Sequence, residues 1–327
     1  MNKIPAIAVL AGGNSSEYEI SIGSAAQIMG VIDRTKYMPY LISVQGTRWF
    51  HKMENGTEAE VDKNDFSLFL DGRKIRLEYA LILIHGTPGE DGLMQAYFEM
   101  MGIPFSSGGF LASAITFDKS VCKRMVAPSG IAMAREILLT QGDRIDADAV
   151  VAQLGLPLFV KPNASGSSCG VSKVKSVEEL IPAVETAWKE GGQVIVEEFI
   201  AGTEVSCGVM VVGGKPTLFP ATEIVSKKEF FDYEAKYTPG MSEEITPARI
   251  SDAEMKEVQR LSLLVYRMLR CRGVARVDFI IQSGIPYMIE INTVPGMSAG
   301  SIIPKQAAAI GMSLTELFNQ IISDTFK

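Results

Sequence analysis

Two stretches within the first 107 residues follow the same order: an apolar run, a glycine-containing turn and then helical spacing. Residues 4–10 are almost entirely apolar and stop just before Gly12 and Gly13, and side chains at helical spacing then continue to Val31. Residues 79–84 form a second apolar run, which leads into a glycine-rich turn and another helical pattern. This repetition predicts a parallel α/β domain, whose ligands would bind at the carboxyl ends of the strands.

The pattern changes after about residue 107. Antiparallel strands are predicted beyond Gly202, and residues 226–248 show no sustained period, which is typical of a long loop that acts as a lid. A chain of 327 residues is long enough for two or three domains. We therefore expect an α/β protein of two or three domains, the first of which ends near residue 107.

Composition excludes several classes of protein. A net charge of -7 argues against a partner nucleic acid, because binding to phosphate backbones needs a basic face. Four widely spaced cysteines match neither a disulfide framework nor a zinc site, and two histidines exclude a multi-histidine metal site. No apolar run approaches the roughly 20 residues that span a bilayer. We expect no membrane segment and a cytoplasmic location.

The strongest chemical signal is a predicted hairpin near the end of the chain. Asp278 lies in one apolar strand, and Glu290 and Asn292 alternate with isoleucines in the next. Residues i and i+2 share a face of a strand, and the position of the turn puts Asp278 roughly opposite Glu290. Two carboxylates and an amide are oxygen ligands suited to Mg²⁺ beside phosphates. The alternative is a solvated polar face on an edge hairpin.

Two further clusters would suit a nucleotide. Lys161 precedes a stretch rich in serine and glycine, which lacks the Walker A spacing but whose backbone N–H groups could surround phosphate oxygens. Residues 197–200 end a predicted strand with two glutamates, and Glu204 follows. These residues could hold an adenine and a ribose. A flexible turn and an ordinary strand end remain the alternatives.

Polar residues also follow both strands of the first domain. Glu17 comes after the first glycine turn, and His85 comes after the second apolar run. A carboxylate in this position could bind a substrate ammonium. Glu17 could instead be a favourable residue for a helix start, and His85 could be structural.

These clusters occur in one order along nearly the whole chain. They read GGNSSEYEIS at 12–21, HGTPGEDG at 85–92, FDK at 117–119, KP at 161–162, GSS at 166–168, DYEAKY at 232–237, RVD at 276–278, EINT at 290–293 and PGM at 295–297. The ordered set resembles the ATP-grasp superfamily, and within it the D-alanine–D-alanine ligase family. The resemblance implies three α/β domains, at residues 1–107, 108–196 and 197–327, of which the second and third enclose ATP.

The resemblance also implies a reaction and cofactors. One D-alanine carboxylate would attack the γ-phosphate of ATP, and the amine of a second D-alanine would displace phosphate from the acyl phosphate. The product, D-alanyl-D-alanine, would serve peptidoglycan synthesis, and so cell wall biogenesis and cell shape. ATP and two Mg²⁺ (or Mn²⁺) ions would be required. The family is commonly homodimeric, so a homodimer is possible.

Matching the family's motifs residue by residue assigns expected roles. Residues expected to bind ATP are Lys119, Lys161, Ser168, Glu197, Glu198, Phe199, Ile200, Glu204, Lys236 and Asn292. Expected metal ligands are Asp278, Glu290 and Asn292. Expected substrate-binding residues are Glu17, His85, Arg276, Gly296, Ser301 and Ile302. Expected catalytic residues are Glu17, Ser167, Tyr237, Arg276 and Gly296, with Ser167 and Tyr237 joined to Glu17 through hydrogen bonds.

Three alternatives were weighed against this interpretation. A nicotinamide dehydrogenase would need the G-x-G-x-x-G spacing, which residues 11–16 lack, and would leave Asp278 and Glu290 without a role. A related ligase could join D-alanine to D-lactate or D-serine, but the depsipeptide-forming relatives carry a histidine in the 226–248 loop, where this chain has none. A non-catalytic ATP-grasp-like protein would be expected to lack a metal ligand or Arg276, and all are present.

Overall fold

The computed structural model describes residues 4–15, 17–166, 170–226 and 242–326. Within this part of the chain, the strands form three main sheets and a separate two-stranded ribbon. No helix in it is long and apolar enough to cross a membrane.

The first sheet contains the two predicted strands of the parallel domain. Its elements are β1 (Ala6–Gly12), α1 (Tyr18–Val31), β2 (Met38–Gln45), β3 (Arg48–Lys52), β4 (Glu58–Glu60), β7 (Tyr79–Ile82) and α2 (Leu93–Met101), while β5 (Ser67–Leu70) and β6 (Arg73–Arg76) form the ribbon. The strand order is β4-β3-β2-β1-β7, and β1 is parallel to both neighbours. The predicted parallel arrangement is confirmed for these three strands, whereas β3 and β4 extend the sheet in antiparallel fashion.

The turn after β1 is fixed by a buried serine of α1. Ser21 Oγ donates to the Leu83 carbonyl at 2.7 Å and accepts from the Gly12 N–H at 2.9 Å. All seven residues of β1 are buried, because the strand has parallel neighbours on both sides and α1 packs against it. The loops that follow β1 and β7 therefore emerge side by side, and the Asn14 N–H donates to the Thr87 carbonyl at 3.0 Å.

A second, antiparallel sheet forms the centre of the chain. The elements of this region are α3 (Phe110–Phe117), α4 (Lys119–Val126), β8 (Ala132–Met133), β9 (Glu136–Thr140), α5 (Ala147–Leu154), β10 (Leu158–Pro162), β11 (Ser172–Val174), α6 (Val177–Ala187) and β12 (Gln193–Glu198). The sheet order is β11-β10-β12-β9. One face buries Leu158, Val160 and Val196 together with residues of α5 and α6. The other face carries Lys161 and Glu197.

The third sheet carries the predicted hairpin. Its region comprises β13 (Thr203–Val212), β14 (Lys215–Leu218), β15 (Thr222–Ser226), β16 (Ser242–Ile245), α7 (Asp252–Met268), β17 (Val274–Gln282), β18 (Ile285–Asn292), α8 (Ile302–Ala309) and α9 (Leu314–Thr325). The main order is β16-β15-β13-β17-β18-β8, with β14 paired to β13. A capping box of Ser251 and Glu254 begins α7, and the predicted antiparallel strands after Gly202 are confirmed.

The predicted loop at 226–248 is shorter than the sequence indicated. Ser226 ends β15, and Ser242–Ile245 forms β16, which pairs with β15 in antiparallel register. The stretch Ser-Glu-Glu-Ile is polar and shows neither a helical period nor an apolar run. It forms a strand because it pairs with β15, which is itself part of the sheet. Residues 227–241, including the predicted lid residues Lys236 and Tyr237, lie outside the described residues.

Two hydrophobic cores join distant parts of the chain. One contains Ile7 and Tyr79 from the first sheet together with Phe219, Ile303 and Leu317. Another contains Cys122 and Val126 of α4 packed with residues of β13, β17 and α7. The central sheet has a separate core made entirely from residues 139–196. The division into domains at residues 107 and 196 stays a prediction.

Candidate active site

The β17–β18 hairpin brings four polar side chains to one face. Its register pairs Asp278 directly with Glu290 and Arg276 with Asn292, and a β-bulge follows Asp278. The predicted opposition of Asp278 and Glu290 is confirmed. Because directly paired residues and residues two apart share a face, the two carboxylates, the amide and the guanidinium converge.

Arg276 and Asp278 form a bidentate ion pair. Arg276 Nε donates to Asp278 Oδ1 at 2.8 Å, and Nη2 donates to Oδ2 at 2.7 Å. Ser206 Oγ donates to the same Oδ1 at 2.6 Å. Burial alone would lower the pKa of Arg276, but the adjacent Asp278 carboxylate outweighs it and raises the pKa. Arg276 is therefore a fixed cation at any physiological pH.

Lys119 connects the central region to this hairpin. It is the first residue of α4, whose N-cap Asp118 accepts from the Val121 N–H at 2.8 Å. Its Nζ donates to the Ser165 carbonyl at 2.7 Å and lies 3.4 Å from Glu290 Oε2. Lys119 thus reaches from a helix start to the serine-rich stretch on one side and to the predicted metal ligand on the other.

Glu197 lies between two buried lysines. Its Oε2 is 2.6 Å from Lys161 Nζ, and its Oε1 accepts from Lys123 Nζ at 2.8 Å. Lys123 also donates to the Ala134 carbonyl and contacts Glu136, each at 2.8 Å. Burial opposes ionisation of Glu197, but the two lysines outweigh it and lower the pKa of the carboxyl. Roles for Lys161 and Glu197 were predicted from the sequence, whereas a role for Lys123 was not.

A cavity of about 220 Å³ lies between the central sheet and the hairpin. Most residues predicted to contact nucleotide or metal line it. They are Lys119, Lys161, Glu197, Glu198, Ile200, Glu204, Asp278 and Glu290. Arg276 and Ile302 line it as well, and Phe159 and Met288 add apolar surface that was not predicted. The combination of apolar walls with lysines and carboxylates suits a nucleotide.

Phe199 is not among the residues that line this cavity, and its predicted contact with adenine stays a prediction. It lies 4.3 Å from Lys173 Nζ and 5.8 Å from the Phe159 ring. Phe159 and Tyr287 are the aromatic residues that line the cavity, and Phe199 packs beside Phe159.

A second cavity of about 50 Å³ adjoins the first. The residues shared by both cavities are Lys119, Ser165, Gly166, Arg276 and Glu290. Glu17 and Asn292 line only the smaller cavity, as do Glu90, Thr116 and Thr293, which the sequence analysis did not select. Glu90 lies within the glycine-rich stretch that follows the second apolar run, so its place near the site could have been predicted from the sequence.

The two loops of the first sheet form one wall of the smaller cavity. Ser15 Oγ donates to the His85 carbonyl at 2.8 Å, and Glu90 Oε2 accepts from the Gly86 N–H at 2.6 Å. His85 is buried and does not line either cavity. Glu17 is buried just before α1, and its side chain does not cap that helix. Helix capping therefore does not account for Glu17.

Gly166 is in close contact with Glu17. A Cβ added to Gly166 would lie 2.6 Å from Glu17 Oε2. The serine-rich stretch of the central region therefore touches the first domain at the predicted ammonium site. Ser167 and Ser168, which follow, lie outside the described residues.

Gly296 and Ser301 are adjacent at the start of α8. A Cβ on Gly296 would lie 2.8 Å from Ser301 Oγ, and Ser301 is the N-cap of α8. Ser298 Oγ and Ser301 Oγ are 2.8 Å apart. The structure therefore brings these two predicted substrate-binding residues together, and neither lines the two cavities described above.

The predicted metal ligands fit a hard divalent cation chemically. Asp278 and Glu290 are directly paired, and Asn292 is two residues farther along the same face, with Oδ1 accepting from the Val294 N–H at 2.9 Å. In the described ranges, no three His, Cys, Asp or Glu side chains form a metal cluster. The predicted set therefore depends on an amide as its third donor. Carboxylate and amide oxygens are the donors that Mg²⁺ and Mn²⁺ prefer.

Two protein-family models match the chain in succession. The model described as "D-ala D-ala ligase N-terminus" matches residues 6–108, and "D-ala D-ala ligase C-terminus" matches residues 125–323. The chain belongs to the D-alanine–D-alanine ligase family. The resemblance inferred from the ordered motifs is confirmed.

Individual members of the D-alanine–D-alanine ligase family match over their whole length. The ligase of Bacteroides fragilis is 44% identical over 98% of this chain and 99% of its own. The ligase of Flavobacterium johnsoniae is 47% identical, with 97% and 98% covered. No large part of either relative is missing from the match.

Solved structures of the family share the fold. D-alanyl-alanine synthetase A from Vibrio cholerae matches with a TM-score of 0.89 at 28% identity, covering 100% of this chain and 99% of its own. The VanG D-Ala:D-Ser ligase from Enterococcus faecalis matches with a TM-score of 0.88 at 30% identity, covering 99% and 100%. The predicted ATP-grasp architecture is confirmed.

Proposed function

We propose that this protein uses ATP to join two D-alanine molecules into D-alanyl-D-alanine for peptidoglycan synthesis. The observation that carries the proposal is the junction of the two cavities at Lys119, Arg276 and Glu290. A phosphate entering from the larger cavity and a carboxylate held in the smaller one would meet there. Full-length similarity to curated D-alanine–D-alanine ligases supplies the substrate.

ATP occupies the larger cavity in this proposal. Lys119 and Lys161 hold phosphate oxygens, and Glu197, Glu198 and Ile200 face the adenine, next to Phe199. Glu204 takes the ribose hydroxyls, while Ser168 and Lys236 add contacts. Phosphoryl transfer depends mainly on positioning and charge neutralisation, which the buried lysines provide.

Asp278, Glu290 and Asn292 would hold the two Mg²⁺ (or Mn²⁺) ions. When bound, the ions neutralise charge on the transferred phosphate. In the described conformation Asp278 contacts Arg276, and Glu290 contacts Lys119. Asp278 and Glu290 would therefore have to leave these ion pairs in order to hold a cation, while Arg276 and Lys119 would become available to phosphate oxygens.

Carboxylate activation takes place where the cavities meet. The Glu17 carboxylate, with His85 nearby, binds the ammonium of the first D-alanine, and one of that substrate's carboxylate oxygens attacks the γ-phosphorus. The bond to the β,γ-bridging oxygen breaks, so ADP leaves and an acyl phosphate forms. Ser167 and Tyr237 join Glu17 through hydrogen bonds that close the site.

The second D-alanine completes the reaction. Ser301 and Ile302, at the start of α8, hold its carboxylate. After losing a proton, its amine attacks the acyl carbon, and the carbon–oxygen bond to phosphate breaks. Arg276 and the Gly296 N–H stabilise the negative charge that develops on the carbonyl oxygen, where preorganised donors have their largest effect.

Product analysis with alternative substrates tests this function. The purified protein receives Mg-ATP with D-alanine, L-alanine, D-alanine plus D-lactate, or D-alanine plus D-serine, and products are identified by mass. We expect D-alanyl-D-alanine with ADP and phosphate in equal amounts, and no product from L-alanine. Efficient D-alanyl-D-serine formation would favour the second candidate, which the similarity to the D-Ala:D-Ser ligase suggests. Absence of turnover with every pair would contradict a ligase.

We also propose a homodimer, which an exposed apolar face on α2 and α3 supports. Leu93 and Met100 lie on the same face of α2, because they are seven residues apart. Phe110 and Leu111 begin the adjacent α3. Met100 is 87% exposed and Leu93 63%, which is unusual for a cluster of large apolar side chains. We expect the wild-type protein to sediment at twice the chain mass and the Met100→Glu variant to sediment as a monomer.

We also propose a cytoplasmic location for the enzyme, because ATP, which it consumes, is a cytoplasmic substrate.

A further inference from the structure

Gln306 is a fully buried polar side chain that the proposed reaction does not use. It lies on α8, between Ile303 and Ala307, which pack in the core. Its amide makes three hydrogen bonds to the third sheet. Burial of a side-chain amide is tolerated only when its donors and acceptors are paired in this way.

The Gln306 amide fills a gap in the pairing of β13. On one edge of β13, β15 pairs as far as Ser206 and β14 begins at Val209. Between them, Gln306 Nε2 donates to the Ser206 carbonyl at 2.8 Å, and Gln306 Oε1 accepts from the Gly208 N–H at 3.0 Å. The side-chain amide therefore acts as the missing peptide group of a neighbouring strand.

The strand positions that Gln306 holds are next to the reacting centre. On the other edge of β13, Ser206 pairs with Asp278, and Gly208 pairs with Arg276. Ser206 Oγ also donates directly to Asp278 Oδ1 at 2.6 Å. One buried side chain of α8 thus contacts both cross-strand partners of the ion pair.

Gly208 permits this close approach of helix and sheet. A Cβ on Gly208 would lie 2.6 Å from Gln306 Oε1 and 2.7 Å from Ile303 Cδ1. The absence of a side chain at this position lets α8 lie directly on β13. The start of the same helix is Ser301, five residues before Gln306.

A third hydrogen bond reaches the β15–β16 pair. Gln306 Nε2 donates to Thr222 Oγ1 at 3.1 Å, and Thr222 Oγ1 is 2.6 Å from Thr246 Oγ1. The neighbouring Lys305 contacts Glu244 on β16 at 2.8 Å, but its side chain is 38% exposed. Exposed pairs of this kind contribute little to rigidity, so the buried amide is the main polar anchor of α8.

We propose that Gln306 is a positioning residue for the second substrate: it holds the start of α8, with Ser301, at a fixed place relative to Arg276 and Asp278. This inference rests on the proposed function. Apolar contacts alone would leave α8 able to shift along β13, because they are not directional. Gln306 thereby sets the distance between the bound carboxylate and the acyl carbon.

The substitution Gln306→Met tests the role, because methionine keeps the length and removes the amide. Gln259→Met is the matched control, since Gln259 donates to the Phe219 carbonyl at 3.0 Å near the same strand without touching α8. The readouts are the KM of each D-alanine site, the KM for ATP and kcat. We expect Q306M to raise the KM of the second D-alanine at least about tenfold, with the KM for ATP within about twofold. Q259M should leave the KM of the second D-alanine and the KM for ATP unchanged.

Two outcomes would overturn the inference. One is an unchanged second KM in folded Q306M, and the other is an equal loss in kcat and in every binding constant. If Q306M does not fold, Thr222→Val is a milder variant, which removes only the third hydrogen bond, and Q259M again serves as the control. T222V should raise the same KM by about threefold, and an unchanged KM in T222V would likewise overturn the inference. Failure of the wild-type protein to form dipeptide would instead contradict the proposed function.

Discussion

At the scale of single residues, the buried ion pairs of Glu197 stabilise one wall of the larger cavity. Lys161 and Lys123 contact opposite oxygens of its carboxylate, and all three side chains are buried. Removing one member of such a group leaves buried charge uncompensated, which typically costs about 3–5 kcal/mol. The adjacent Glu198 is paired with the exposed Arg135, where about 1 kcal/mol or less is expected.

We predict that Glu197→Gln lowers the free energy of unfolding by about 3 kcal/mol at pH 7, and that Glu198→Gln lowers it by about 1 kcal/mol or less. Chemical denaturation measures both. The two lysines hold the pKa of Glu197 in the folded protein below its ordinary value of about 4.5. Its contribution is therefore full above about pH 5 and is lost as the pH falls through the folded pKa. Equal effects of the two substitutions would contradict the buried-network interpretation.

Some of the residues at the site could be predicted from the sequence and others could not, for physical reasons. Asp278 and Glu290 were predictable as a pair because strand alternation and one short turn determine their register. Lys123 and Gln306 were not, because their partners lie 74 and about 100 residues away and no local spacing marks them. Phe199 follows the last residue of β12, so strand alternation did not determine which way its ring points.

At the scale of elements, the stretch after β10 contacts the loop that follows β1. Gly166 approaches Glu17 so closely that a Cβ would lie 2.6 Å from the carboxylate oxygen. Its backbone φ is one that alanine can adopt, so an added methyl group would act by displacing Glu17. Gly192 is also free of backbone restriction, and a Cβ there would meet nothing within 4 Å.

We predict that Gly166→Ala lowers kcat/KM for D-alanine at least about tenfold, because misplacement of a substrate-holding group by about 1 Å is sufficient for such a loss. The free energy of unfolding should change by less than about 1 kcal/mol, since the carboxylate can rotate away. Gly192→Ala provides the control, with unchanged kinetics. Wild-type kinetics in G166A would mean that Glu17 does not hold the substrate.

Element prediction succeeded where the pattern was local. The two strand–loop–helix units placed the loops of Glu17 and His85 at one edge, as parallel strands require. Strands β4 and β16, at the edges of their sheets, depend on pairing with β3 and β15. Their short polar sequences carry little intrinsic preference, so tertiary pairing decides their structure.

At the scale of the whole molecule, the central sheet is packed differently from the rest. Its core consists of residues 139–196 alone, whereas Ile7 and Leu317 share one core across the first and third regions. The first and third sheets therefore share a hydrophobic core, whereas the central sheet, which lines the larger cavity, has a core of its own. Motions that admit nucleotide are expected at its boundary.

We predict that cavity-forming substitutions in the two cores act on different parts of the chain. Leu180 and Leu317 are both fully buried, and truncation of either to alanine should cost about 2–5 kcal/mol. In hydrogen exchange, Leu180→Ala should accelerate residues 136–198 only. Leu317→Ala should accelerate β1 and β13 together. Uniform acceleration across the chain by Leu180→Ala would show a single cooperative unit instead.

The path of one oxygen atom provides the most direct test of carboxylate activation by ATP at the junction of the two cavities. D-Alanine labelled with ¹⁸O in its carboxylate is supplied with unlabelled Mg-ATP, and the released phosphate is analysed by mass. Attack of the carboxylate on the γ-phosphorus predicts one ¹⁸O atom in each phosphate released with a dipeptide. Unlabelled phosphate accompanying dipeptide formation would contradict the acyl phosphate, and with it the roles proposed for Lys119, Arg276 and Glu290.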